Sequence, residues 1–259
     1  MKTSAPRPDP RLWLGLLLFI TGMVGVVALV VTVLPQLVDG SAGVPALWVV
    51  SLASLVQGAL VVALAVWCGV LLGPKVGLRA PGFEAVAFSR PVLAALGPQL
   101  LPGLLAGGVA GIGLFAIGGY ASPAAVAGVE PQFTVPLFAR VLYGGITEEL
   151  LLRWGVMTLL VWLAWRLLQR RQGVPRAGYV WLAIVASAVL FGAGHLPAVA
   201  VHLETWTPEV VLFVIGANGV FGVLFGYLFW RYGLEAAMMA HALAHVVAWF
   251  ADRIVTSLQ

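Results

Sequence analysis

Seven apolar runs, each about long enough to cross a lipid bilayer, constrain this chain more than any other feature. They cover roughly Leu12–Leu34, Ala46–Leu72, Val92–Tyr120, Phe133–Leu168, Tyr179–Pro197, Val210–Trp230 and Leu234–Val255. About 20 helical residues span the hydrocarbon. Lipid offers no partner to backbone polar groups, so such runs fold as helices. Composition agrees, because 61% of the residues are hydrophobic and 9% charged, against about 25% charged in a soluble domain. The reading is an all-α membrane protein with about seven transmembrane helices. The first run is longer than the short core of a signal peptide, so it is read as a retained helix.

Charge placement predicts orientation. Alternate connections hold Lys2, Arg7 and Arg11, then Lys75, Arg79 and Arg90, then Arg166, Arg170, Arg171 and Arg176, then Arg231. The opposite connections hold Asp39, Glu130, Glu204 and Glu209. That asymmetry places the N-terminus in the cytoplasm. The net charge of +4 therefore reads as a topology signal, and no nucleic-acid partner is expected. Polarity is uneven along the chain. Residues 1–120 form an apolar three-helix membrane region, and 133–255 form a four-helix core that carries nearly all the buried polar groups. The Gly103, Gly107, Gly111 spacing is read as a close-packing face, and Cys68 as a small buried hydrophobe. The fourth run is too long for one crossing, so it either projects beyond the bilayer or breaks near Gly144-Gly145.

The core contains ionisable residues where they are costly, and such residues commonly mark functional pathways. Glu149 and Arg153 are four apart and share a helix face. Glu148 points about 100° away and lacks that partner, so it is suited to taking a proton from water. An ion-pair staple between helices would explain the same residues. His195 ends the fifth run; alone, it would read as a hydrogen-bonded core residue. His241 and His245 lie one turn apart on the seventh, a spacing that chelates a metal or holds a water. Asn218 lies mid-membrane on the sixth, where it either joins the site or makes an interhelical hydrogen bond. Glu235 is expected to favour its own helix N-terminus. Arg140 and Gln99 are expected at interfaces or capping helix contacts, and His202 in solvent.

Glu148-Glu149-x-x-x-Arg153, Phe191-x-x-x-His195 and His241-x-x-x-His245 together resemble the three motifs of the CAAX protease and bacteriocin-processing family. These are intramembrane proteases whose eukaryotic members cleave prenylated CAAX proteins. The resemblance covers roughly Phe133 to Val255. It implies Glu148 as the general base that activates water, with Glu149 and Arg153 supporting it. It also implies His195 and His241 as residues that position the water or bind a metal, with Phe191 in the second motif. The third motif usually ends in asparagine or aspartate; here it ends in His245. An imidazole there can donate to a developing oxyanion, with Asn218 supplying the missing amide. It can equally complete a His195, His241, His245 zinc triad, so zinc and metal-free versions both stand.

The expected function is an intramembrane endopeptidase acting on a hydrophobic peptide or membrane-protein segment. A multi-pass protein of a bacterial inner membrane is expected, since arginine far outnumbers lysine and hints at a GC-rich bacterial genome. Two rivals use the same residues: a non-catalytic scaffold or regulator keeping the fold, and a proton- or metal-coupled transporter. The transporter class often shows paired broken helices in inverted repeats, and none is visible here. Substrate identity and oligomeric state are not encoded in these motifs.

Overall fold

The computed structural model describes residues 9–38, 44–123, 133–201 and 206–258. Lys2, Arg7, Asp39, Glu130, His202 and Glu204 lie outside the described residues. No strand occurs among the described residues. Seven helices are long and apolar enough to cross a membrane: Pro10–Val38, Leu47–Val76, Val92–Tyr120, Leu137–Leu168, Ala177–Ala200, Pro208–Tyr232 and Leu234–Ser257. They are called the first to seventh spans. The protein is an integral, all-α, multi-pass membrane protein. Large apolar side chains such as Leu60, Leu105 and Val109 face outward along the spans, as lipid contact requires. Cys68 is buried and free.

The fourth span is the hub. On one side, Thr147 Oγ1 donates 2.7 Å to the Gly22 carbonyl of the first span. Gly25, next to it, admits this approach because a Cβ there would collide with the Thr147 hydroxyl and the Leu142 carbonyl. Trp154 fills the face of the second span left open by Gly69 and Gly73. Arg153 Nη2 donates 3.2 Å to the Gly222 carbonyl of the sixth span. Gly144 and Gly145 lie against His245 and Ala242 of the seventh. The glycine face of the third span runs parallel to the seventh, with Gly103 beside Ala236 and Met239, and Gly111 beside Ala244 and Val247.

The fourth span does not break at Gly144-Gly145. Its 32 residues form one continuous helix that widens into π-helical turns over Arg140–Glu148, Leu150–Met157 and Ala164–Leu168. A π turn closes with an i→i+5 hydrogen bond and is frequent at functional sites. More residues per turn mean less rise per residue, which shortens a run that looked too long for one crossing.

The helical assignment of the fifth span is interrupted at His195, which closes the helix Ala177–Gly194 and opens the short helix Leu196–Ala200. Between the second and third spans lies a short helix, Pro81–Ala87, bound to the head of the seventh. Leu234 N–H donates 3.1 Å to the Arg79 carbonyl. Glu235 Oε1 accepts 2.8 Å from Phe83 N–H, so it caps that neighbouring helix as well as standing in the first turn of its own. Gln99 Oε1 accepts 3.0 Å from Ala236 N–H, and Arg140 Nε donates 2.9 Å to the Val135 carbonyl.

The crowding at Gly25 gives a test. Gly25→Val should lower the melting temperature of purified protein in micelles, since overpacking costs about 1–3 kcal/mol. Gly108→Val, where a Cβ meets nothing within 4 Å, should leave it unchanged in the same fluorescence scan.

Candidate active site

The π-helical stretch of the fourth span presents Glu148 and Glu149 on different sides, and their surroundings differ accordingly. Glu149 is fully buried, and its Oε2 lies 3.2 Å from Arg153 Nε, whose side chain is 1% exposed. Its other oxygen, Oε1, accepts a 2.8 Å hydrogen bond from His241 Nδ1 of the seventh span. The Glu149–Arg153 contact is an ion pair without hydrogen-bond alignment, and Arg153 Nη1 has no acceptor among the described residues. The guanidinium instead faces two rings, 4.8 Å from the Phe191 centroid and 5.7 Å from that of Phe225. Ring quadrupoles stabilise a desolvated cation in this way.

The carboxylate at Nδ1 decides the tautomer of His241. A carboxylate paired with arginine is an acceptor only, so Nδ1 carries the proton and Nε2 keeps its lone pair. That lone pair faces Glu148, with His241 Nε2 4.0 Å from Glu148 Oε2. The gap is too wide for a direct hydrogen bond and suits a bridging water. Glu148 is 17% exposed while Glu149 is 0%, so the first carboxylate reaches the accessible side of the cluster and the second does not.

Aromatic contacts fix the imidazoles. His241 lies between Phe225, stacked at 4.6 Å and 21°, and His245, stacked at 5.0 Å and 27°. Phe191 stands edge-on to His195 at 4.8 Å and to His241 at 5.7 Å. His195 Nδ1 donates 2.9 Å to the Phe191 carbonyl one turn back, leaving its Nε2 uncommitted. His245 sits over Gly144, where a Cβ would come 2.6 Å from His245 Nε2 and 3.6 Å from His241 Nε2. Glycine at 144 thus lets both imidazole edges approach the backbone of the fourth span.

Glu148, Glu149, Arg153, Phe191, His195, His241 and His245 are therefore linked through direct contacts or shared neighbours. Asn218 is not tied to them by a hydrogen bond, since its Nδ2 donates 2.8 Å to Val214 of its own helix. Two contributors were not singled out from the sequence, Phe225 and the Gly222 carbonyl, and Gly144 was read only as a possible break. A phenylalanine or glycine in an apolar run carries no mark of what it touches, and a carbonyl has no sequence signal at all.

Zinc needs nitrogen or oxygen edges converging on one point. His241 Nδ1 is taken by Glu149 and His195 Nδ1 by the Phe191 carbonyl, so only the Nε2 atoms of these two rings remain for a metal. Among the described residues no three His, Cys, Asp or Glu side chains are gathered as metal ligands, and the chemistry below is derived without a metal.

Residues 130–247 match the family described as type II CAAX prenyl endopeptidase Rce1-like. The match takes in all three motifs and just under half of the chain, and at family level it supports a CAAX-type intramembrane protease. No curated protein and no solved structure matches the chain.

The buried ion pair gives a sign-definite test. Glu149→Gln should destabilise the protein by about 3–5 kcal/mol, because it leaves the Arg153 charge buried without its counterion. Combining Glu149→Gln with Arg153→Met should recover much of the loss. Thermal unfolding of the three variants in micelles measures both effects.

Proposed function

We propose that the protein hydrolyses a peptide bond of a hydrophobic peptide or membrane-protein segment through a glutamate-activated water. One observation carries the reading: the 4.0 Å separation of Glu148 Oε2 from His241 Nε2, at the accessible edge of an otherwise sealed charge network. A water between them donates one hydrogen to the carboxylate and the other to the bare imidazole nitrogen. His195 Nε2, also bare, is the alternative acceptor for that second hydrogen.

Glu148 takes the proton as the water oxygen bonds to the scissile carbonyl carbon. The carbonyl oxygen becomes an oxyanion in a tetrahedral intermediate. Glu148 then returns the proton to the amide nitrogen as the C–N bond breaks, leaving a carboxylic acid and an amine. His245 donates to the oxyanion, with Asn218 as a second donor once its side chain turns from Val214. Fixed donors in a water-poor site stabilise such charge strongly. Glu149 and Arg153 touch no reacting atom in this scheme; they hold His241 in the required tautomer. The charge asymmetry of the connections supports a cytoplasmic N-terminus, and the excess of arginine over lysine supports a bacterial inner membrane.

Cleavage of a hydrophobic peptide library by purified protein tests this. Glu148→Gln should lower kcat/KM by about 10²–10⁴, the usual contribution of general acid–base catalysis, with little change in melting temperature. Retained turnover in that variant overturns the mechanism. His245→Asn, which restores the residue the third motif usually carries, should keep most of the activity, whereas His245→Ala should lose it.

A further inference from the structure

The polar side chains of the spans mostly find acceptors inside the protein: Thr147, Gln99, Ser187 and Asn218 each make a hydrogen bond. Gln57 differs. It lies ten residues into the second span from Leu47, about 15 Å along the helix at 1.5 Å per residue. That is about a third of the way along a 30-residue span, past the end that would lie in the headgroup region. Its side chain is exposed on the outer face, and it makes no hydrogen bond among the described residues. A carboxamide with both donors and its acceptor open toward lipid is costly.

The residues around it form a seam. Ala53, Gln57, Leu60, Leu64, Trp67 and Leu71 alternate at spacings of four and three, the a/d repeat of a left-handed helix pair, and all are exposed. The opposite face of the same helix is already used, with Val62 against Gly22 of the first span and Gly69 against Trp154 of the fourth.

We infer that the second span pairs with the second span of another copy of this chain, with the two Gln57 side chains hydrogen-bonded across a two-fold axis. The occupant follows from the chemistry. A carboxamide is its own complement, donating N–H and accepting at its oxygen. Two copies inserted the same way pair their second spans in parallel, which sets a positions opposite one another. Gln57 occupies such a position, where one polar residue fixes register and partner number. Ala53, one turn away, lets the helices approach. The seam faces away from the Glu148–His241 cluster, so pairing leaves the catalytic groups untouched, and the inference does not depend on the proteolytic reading.

Disulfide cross-linking of the full chain in proteoliposomes tests it, in a Cys68→Ala background that removes the only native thiol. Leu64→Cys should give a cross-linked homodimer on mild oxidation. Leu105→Cys, on the outward face of the third span, should give little. Adding Gln57→Leu to the Leu64→Cys reporter should lower the dimer yield about fivefold, in keeping with the modest strength of interhelical polar contacts in membranes. Three results would overturn the inference: Leu64→Cys yield no higher than Leu105→Cys, a yield unaffected by Gln57→Leu, or, in native membranes, a product joined to a different polypeptide such as a substrate segment. The Leu64→Cys comparison stands even if a Gln57 variant inserts poorly.

Discussion

A guanidinium and a carboxylate sealed together in a membrane interior hold this protein's chemistry in place. Arg153 and Glu149 would each be prohibitively costly alone, and together they still need further partners. Glu149 spends its second oxygen on His241, and Arg153 rests on Phe191 and Phe225 while donating to Gly222. Four spans are thereby joined at one point: the fourth supplies the ion pair, the fifth and sixth the rings and the carbonyl, and the seventh the imidazole. The same contacts that compensate the buried charges also set which nitrogen of His241 carries the proton. Stability and the placement of the site are one network here, and Glu148 is the one member of the acidic pair left partly exposed.

The wide turns of the fourth span complement this arrangement. A π-helical register from Arg140 to Met157, interrupted only at Glu149, sets two adjacent glutamates in different environments while the helix continues unbroken. Thr147 anchors one side to the first span, and the glycines at 144 and 145 admit the seventh span on the other. The side chains of Glu148 and His241 are thus placed by backbone packing on both flanks rather than by each other. That is why a 4.0 Å gap between them can persist without closing into a direct contact.

Much of this was readable beforehand, for particular physical reasons. Length and hydropathy set the seven spans, because a bilayer demands both. The i, i+4 spacing gave the Glu149–Arg153 pair, and the motif resemblance brought Glu148, His195, His241 and His245 to one reading. What could not be read was anything carried by shape or backbone. The fourth span looked too long for one crossing, and of the two outcomes expected the break at Gly144-Gly145 does not occur, because those glycines serve close helix approach. Glu235 was read as serving its own helix, since its bond to Phe83 joins residues far apart in sequence. Phe225 looked like any core aromatic, and its stacking on His241 follows from side-chain rotamers that spacing does not encode.

The account rests most directly on the protonation pattern of one imidazole. Nitrogen-15 NMR of histidine-labelled protein in bilayers, with His241 assigned by comparison with His241→Gln, reads that pattern. The structure calls for a neutral ring with the proton on Nδ1 and a bare Nε2 facing Glu148. A proton on Nε2 with Nδ1 bare, or a doubly protonated ring at neutral pH, would contradict it.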